Sequence, residues 1–497
     1  MAETAPARWA WRGRVAICLG LGAMAALGQA PWGLWPLTVA GLALVHGIWR
    51  QAPGWRAAGV IGLAAGAGHF LVALHWITEP FMVDAARHGW MAPFALLGMA
   101  AGMGLFWGAG LALARGLGGG AAAFIAGLGI AEMARGWFLT GFPWAQAGHA
   151  LIDTPVLHWA SYLGAPGLLT LMLAAAVALW HMVAGRRWPG AVALAGLAAL
   201  WPLGAALTPE AGAEAGAPMV RLVQPNAPQH EKWDPERARR FFERQRAFSA
   251  AGAVPDLVVW PETAVPVWLN DADETLALVA EAARGAPVVL GIQRHEGRRI
   301  FNSLAVIGPG GEVRAVYDKH HLVPFGEFMP FGDFLGSLGI HGLAASAGQG
   351  YSAGPGAQVI ALDGLGAALP LICYESVFAR DLRAAPGRAD MIVLITNDAW
   401  FGRVSGPYQH LAQARLRSAE FGLPMIRVAN TGVSAMIDAT GRVTRAIPLG
   451  EAGWRDVPLP PALPATVYAR LGDAPMLLAY GLLLVLALWR RRRADSD

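Results

Sequence analysis

The chain has 497 residues, 55% of them hydrophobic and only 14% charged, with a net charge of +4 and 21 tryptophans. That balance is too apolar for a wholly soluble enzyme and reads as a membrane protein. Two cysteines, one of them Cys18 inside an apolar run, exclude a disulfide framework, and arginines beside apolar stretches account for the positive charge without a nucleic-acid partner.

In chain order, residues 14–29, 31–49, 56–76, 91–114, 119–137, 163–185 and 188–207 are apolar stretches rich in Ala, Gly, Leu and Trp. Each spans or nearly spans a hydrocarbon core that takes about 20 helical residues. The first follows Arg8, Arg12 and Arg14 and has the outline of a signal peptide, but further apolar runs come at once with no cleavage site between. It is expected to remain as the first helix. Glu132 lies inside the fifth stretch near Arg135, as either an ion pair or a lipid-headgroup contact. Trp137, Phe142 and Trp144 are expected in the outer aromatic belt, Trp144 also as a candidate substrate contact. An eighth run, 474–489, stops at WRRRR.

Arg8, Arg12, Arg14, Arg50, Arg56, Arg115, Arg186, Arg187 and Arg490 to Arg493 fall on one side of successive spans, with mainly Arg87 and Arg135 opposite. The positive-inside rule then puts both termini in the cytoplasm and residues from about 215 to 465 on the periplasmic face of a bacterial inner membrane. The expected division is a seven-helix transmembrane domain at 1–215, a catalytic domain at 216–465, and a last helix with a basic tail at 466–497.

The middle block changes character. MVRLVQ, DLVVW, PVVLGI, SLAVIG, AALPLI and MIVLITN alternate with helical segments such as the amphipathic 235–250, the pattern of a layered α/β domain. Glu262 follows DLVVWP, Cys373 follows AALPLI, and Asn397 and Asp398 follow MIVLIT, at strand ends where α/β enzymes place chemistry. No glycine-rich phosphate loop opens a helix; the glycine-rich runs suit membrane-helix packing.

Cys373 is expected at a strand-to-helix junction, where the positive end of the helix lowers a thiol pKa. A lone cysteine is more often an inert core residue than a catalytic one; its company decides. A thiolate attacking an ester or amide carbonyl needs a base, a cation near the oxyanion and a shielded pocket. Glu262, its pKa raised by neighbours such as Trp260 and Pro261, would take the thiol proton, and Lys319 would face the oxyanion. Glu327 and Glu375 would orient Lys319 or bind an incoming amine, with Tyr374, Asn302 and Asn397 in support. Read separately, these are equally a strand-end acid, a loop charge and a helix-start acid. The bare His320–His321 pair lacks metal-ligand spacing. Phe325, Phe328, Phe331, Trp400 and Phe401 would either admit an acyl chain by dipping into the bilayer or form core beneath a loop.

WPET, DKHHLVPFGE and ICYE, in that order, resemble the Glu-Lys-Cys triad motifs of the nitrilase or carbon–nitrogen hydrolase superfamily. The flanking helices, RGWFLTGFPW at 135–144, LVPFGEFMPF, CYES, NDAWFG at 397–402 and QHLAQARLRSAEFGLPMIRVANTGVSAMID narrow the resemblance to its membrane branch, the apolipoprotein N-acyltransferases, over nearly the whole chain. The resemblance implies about eight transmembrane helices plus an extracytoplasmic αββα sandwich, and Glu262, Lys319 and Cys373 as catalytic residues. It implies ping-pong acyl transfer through a Cys373 thioester, from a glycerophospholipid to the α-amine of a diacylglyceryl-cysteine at a lipoprotein N-terminus. No metal or organic cofactor is expected, and the chain is expected to act as a monomer. Two other readings stand beside this one: a membrane-anchored amidase that finishes with water, and a non-catalytic scaffold.

Overall fold

The computed structural model describes residues 5–330 and 350–494. The chain forms two units, Met1–Thr208 with Thr466–Asp497, and Pro209–Ala465.

The first unit is helical. Its long helices are Ala5–Ala26, Trp35–Arg50, Trp55–Ala73, Ala92–Gly116, Gly120–Trp137, Ala160–Val183, Arg187–Leu207 and Ala474–Ala494, one at each apolar stretch of the sequence. The first starts nine residues earlier than the apolar run that predicts it, so Arg12 and Arg14 lie within the helix. Among the described residues five segments are long and apolar enough to cross a membrane: Trp55–Ala73, Ala85–Gly116, Pro155–Val183, Arg187–Leu207 and Ala474–Arg493. The other three fall short for visible reasons: arginines in Ala5–Ala26, 16 residues in Trp35–Arg50, and Glu132 with Arg135 in Gly120–Trp137.

Small residues set the helix spacing. A Cβ on Gly22 would lie 1.8 Å from the Ala65 carbonyl oxygen, and Gly110 and Gly127 each face the other's carbonyl oxygen at 2.4 and 2.5 Å by the same construction. Backbones this close gain van der Waals contact where lipid supplies no hydrophobic drive. The last helix is tied in by polar bonds: Tyr480 Oη lies 2.8 Å from Thr170 Oγ1 and donates to the Pro166 carbonyl at 3.0 Å. Glu132 and Arg135 are wholly buried and bonded to each other; Arg135 Nη1 donates to the Trp144 carbonyl at 2.8 Å and Trp107 Nε1 donates to Glu132 Oε1 at 2.5 Å. Of the two expectations for this pair, the structural ion pair is the one observed. Trp144 is also fully buried, its ring 4.7 Å from that of Trp76. Its place is the interior of the helical unit and not the aromatic belt, its carbonyl accepting from Arg135 and its ring packed against Trp76.

Among its described residues the second unit contains two six-stranded sheets. The first is built from β1 (Met219–Gln224), β2 (Leu257–Val259), β3 (Val288–Glu296), β4 (Arg299–Ile307) and β5 (Val313–Asp318). The second holds β6 (Ile360–Leu362), β7 (Gly366–Ile372), β8 (Met391–Thr396), β9 (Met425–Ala429), β10 (Ser434–Ile437) and β11 (Val443–Ile447), after which β12 (Gly453–Pro458) returns to the first. The orders are β12-β1-β2-β3-β4-β5 and β11-β10-β9-β8-β7-β6. β1–β2–β3 and β7–β8–β9 are parallel, with antiparallel strands at the margins. Strands covered on both faces become continuous apolar runs, as every residue of β8 (MIVLIT) is buried.

Helix Pro235–Ala250 starts where Asp234 accepts the Arg237 amide at 3.1 Å and Pro235 occupies the first turn. With Asp273–Ala283 it buries Phe242, Leu276 and Val279 against Val258, Trp260 and Val288. The sheets are joined by buried polar bonds, among them Ser434 Oγ to Gln224 Oε1 at 2.5 Å. This is the layered αββα arrangement that the resemblance implies.

Candidate active site

Three loops carry the predicted triad. Glu262 lies three residues past β2, Lys319 directly follows β5, and Cys373 directly follows β7. The first two come from one sheet and the third from the other. Their backbones are held tightly: the Lys319 amide donates to the Asn302 carbonyl at 2.9 Å, and its own carbonyl accepts from Gly354 at 2.8 Å. Cys373 and Thr263, the residue after Glu262, have φ of +52° and +46°. Left-handed backbone is costly for residues with a Cβ, most of all a β-branched one, and persists where surroundings over-determine it.

Lys319 is 1% exposed, with Nζ donating to Glu327 Oε1 at 2.8 Å and standing 3.9 Å from Glu262 Oε1. Asn302 Nδ2 donates to Glu262 Oε1 at 2.6 Å and lies 3.4 Å from Glu327 Oε1. The Val323 amide donates to Glu327 Oε2 at 2.8 Å. Burial works against charge on Lys319, but Glu327, Glu262 and Cys373 overcome it and hold the ammonium firmly protonated. Burial raises the Glu262 carboxyl above its ordinary range; Lys319, Asn302 and Lys232 draw it partway back while Glu327 pushes it up. A carboxylate raised in this way is a better proton acceptor near neutral pH.

The Cys373 thiol is raised strongly, by burial first and Glu262 next, with Lys319 opposing. This corrects the helix-dipole expectation. Only a five-residue 3-10 turn, Cys373–Val377, follows the thiol, and the next helix, Ala379–Arg383, is also five residues. A thiol raised in this way holds its proton near neutral pH, and sulfur becomes nucleophilic only once a neighbour takes that proton. Thr396 lies within hydrogen-bond reach of it and donates to Asp398 Oδ1 at 2.9 Å.

Glu375 is fully buried and accepts from Tyr317 Oη at 2.9 Å, the His320 amide at 2.8 Å and the Ile372 amide at 2.7 Å. It thus links the loop after Lys319 to the strand before Cys373. Against the burial that would raise it, the His320 side chain, the Ile372 amide and the Lys319 charge hold Glu375 below the ordinary carboxylate range. Tyr374 packs edge-on to Phe378 and His321, with ring centroids 4.9 and 5.7 Å away. Asn397 donates to Gln229 Oε1 at 2.7 Å and accepts from Asn430 at 2.8 Å, bracing the loop after β1.

The aromatic candidates divide. Phe325 is 54% exposed at φ +63°, its amide bonded to the Phe328 carbonyl at 2.8 Å in a tight turn. Phe328 and Trp400 are half-buried. Phe401 is buried, its ring 5.4 Å from that of His410. Phe331 lies outside the described residues, and Trp144 belongs to the helical unit. His321 Nδ1 pairs with Asp381 at 2.7 Å. Among the described residues no three or more His, Cys, Asp or Glu side chains are placed to hold a metal ion together.

Two features escaped the sequence reading. Beneath Cys373, His410 Nε2 meets the Cys373 carbonyl at 3.2 Å and Nδ1 meets Asp398 at 2.9 Å, while Arg427 donates to Asp398 at 2.6 Å. Asp398 and His410 stand in motifs quoted above, but 12 residues apart, with nothing local to pair them. Beneath Glu262, Lys232 Nζ donates to the Glu262 carbonyl at 3.0 Å.

A carbon-nitrogen hydrolase family model matches residues 175–463, and an apolipoprotein N-acyltransferase N-terminal domain model matches residues 21–178. The apolipoprotein N-acyltransferase of Bradyrhizobium diazoefficiens is 38% identical, covering 97% of this chain and 96% of its own. Those of Rhodopseudomonas palustris and Caulobacter vibrioides are 35% and 36% identical, covering 98% and 94% of this chain and 97% and 92% of theirs.

Proposed function

The chain belongs to the apolipoprotein N-acyltransferase family, and we propose that this membrane acyltransferase works through Cys373 by a two-step transfer with Glu262 as base and Lys319 as cation. The observation that carries this reading is the Lys319 ammonium held between Glu327 and Glu262 and interacting with the Cys373 thiol.

In the first step Glu262 takes the thiol proton as Sγ attacks the ester carbonyl of a glycerophospholipid. Lys319 offsets the negative charge that develops on oxygen. Collapse breaks the C–O bond, the lysophospholipid alkoxide takes the proton back from Glu262, and an acyl thioester remains. In the second step the α-amine of a diacylglyceryl-cysteine attacks the thioester and gives its proton to Glu262. The C–S bond breaks, the amide leaves, and the proton returns to sulfur. Atoms and charge balance without a metal or organic cofactor.

The same reading takes 1–215 and 466–497 as membrane-embedded and 216–465 as periplasmic, with both termini cytoplasmic in the inner membrane and the enzyme acting as a monomer. The arginine distribution supports that topology.

The test is the intact mass of detergent-purified protein after exposure to phospholipid. One acyl group, released by hydroxylamine and mapped to Cys373, is expected, and it should persist until a diacylglyceryl-cysteinyl peptide with a free α-amine is added. An adduct elsewhere overturns the mechanism. Loss of the acyl group to water at the same rate with or without peptide makes the protein an amidase-like hydrolase.

A further inference from the structure

The chain contains two lysines, Lys232 and Lys319, its other long basic side chains all being arginine. Both are buried, and both act electrostatically on Glu262. Lys319 is explained by the acyl-transfer chemistry; Lys232 is not. A lysine kept where arginine is the rule points to a slot that uses a compact ammonium with three rotatable donors rather than a planar fork.

The slot is well defined. Lys232 Nζ donates to the Glu262 carbonyl at 3.0 Å and to Thr263 Oγ1 at 2.6 Å, with the Trp233 ring centroid 5.4 Å from the ammonium. These contacts grip the peptide between the base and the residue at φ +46°. From the other side Gly291 of β3 donates its amide to the Pro261 carbonyl at 3.1 Å and accepts the Ala264 amide at 2.8 Å. A Cβ at Gly291 would lie 2.4 Å from the Thr263 nitrogen. The turn carrying the base is thus clamped between a strand and a buried cation from the loop after β1.

We propose that Lys232 is a positioning residue for Glu262, fixing the turn that aims its carboxylate and supplying a second positive charge beneath it. The inference rests on Glu262 being the base of the acyl transfer. Among the described residues the charged or titratable groups facing Glu262 are Lys319 and Glu327 from the β5 side, Tyr351 from the segment before β6, Cys373 from the end of β7, and Lys232 from the loop after β1. Burial lowers Lys232 itself to about 8, so it is still mainly charged at neutral pH. Its charge opposes the burial that raises Glu262, so removing it lets the carboxyl rise further and leaves less of the base form at a given pH.

The experiment compares single-turnover acylation by phospholipid micelles, from pH 5 to 9, for full-length wild type, Lys232→Met and Thr263→Val. Met approximates the length of the lysine stem, and Val keeps the shape of Thr263 while removing the hydroxyl contact. Lys232→Met is expected to lower the acylation rate about tenfold at neutral pH, a share of the effect of losing the base outright, and to move the acid limb of the rate profile to higher pH. Thr263→Val is expected to slow acylation less and leave the limb in place, since the charge remains. A Lys232→Met enzyme that is less active at every pH by one factor, or unchanged, overturns the inference, because a merely structural lysine does not move the limb. Should Lys232→Met not fold, an unaltered rate in Thr263→Val overturns the gripping role. Failure of wild type to acylate on Cys373 would instead sink the mechanism proposed above, so the two outcomes separate.

Discussion

Two of the places where the molecule buries charge are built differently. In the helical unit one carboxylate meets one guanidinium: Glu132 and Arg135 bind each other, the spare Arg135 donors go to backbone carbonyls, and Glu132 accepts from the Trp107 indole. At the candidate site two carboxylates, Glu262 and Glu327, share the Lys319 ammonium. The first arrangement is closed and neutral. The second leaves a carboxylate whose proton affinity is raised, which is what a base requires and what a purely structural pair avoids. Charge balance, more than burial, separates structure from chemistry here.

The hardest test of that contrast is the proposed nucleophile. Cys373→Ser should lower acyl transfer about a thousandfold or more, because a hydroxyl is far harder to ionise than a thiol. Its melting temperature should match wild type; residual turnover near wild-type rates would remove Cys373 from the chemistry.

Next come the shared charges. Glu262→Gln and Lys319→Met should each slow thioester formation by roughly a hundredfold to ten-thousandfold. Single-turnover mass measurements would read this directly, and wild-type rates in either variant would show that its charge serves only packing.

The closed pair should respond the other way. Glu132→Gln leaves Arg135 buried without a counter-charge, a loss of about 3 to 5 kcal/mol. The protein in detergent should melt earlier while each folded molecule keeps its specific activity. A catalytic defect at unchanged stability would erase the distinction drawn between the two clusters.

The smallest effect is a pH signature. Because burial raises the folded-state pKa of Glu262 above its unfolded value, its contribution to stability is present at low pH and lost as pH rises through the elevated value. Asp398 has the opposite sign. Burial opposes its ionisation, but Arg427 and His410 depress its folded pKa, so its contribution is present above the unfolded value and lost on acidification. Glu262→Gln should therefore gain melting temperature relative to wild type as pH rises from 5 to 8, while the penalty of Asp398→Asn should shrink as pH falls below 4. Parallel melting curves for either variant would show that the sign is wrong.

Much of this was legible in the sequence where a run of residues carried the signal. β1, β2, β3, β4, β7 and β8 are apolar runs, and the catalytic candidates stand at strand ends. β5 (VRAVYD) and β12 (GWRDVP) were missed because they mix charged residues with apolar ones, and only pairing with β4 and β1 makes them strands. The environment of Cys373 was misjudged since sequence shows a junction but not whether a long helix follows it. Lys232 is 30 residues from Glu262, and its partner is a backbone carbonyl that no motif encodes. Its one trace was compositional, the scarcity of lysine.

β12 has a consequence of another kind. It returns to pair antiparallel with β1, Met219 opposite Pro458, and the Leu459 amide bonds back to the Pro218 carbonyl at 2.8 Å. The polypeptide therefore enters and leaves the α/β unit on adjacent strands, about 5 Å apart. That is the geometry of a cassette spliced into a host chain through one doorway. Residues 209–465 should tolerate excision, or closure into a circle through a short linker, without disturbing either sheet.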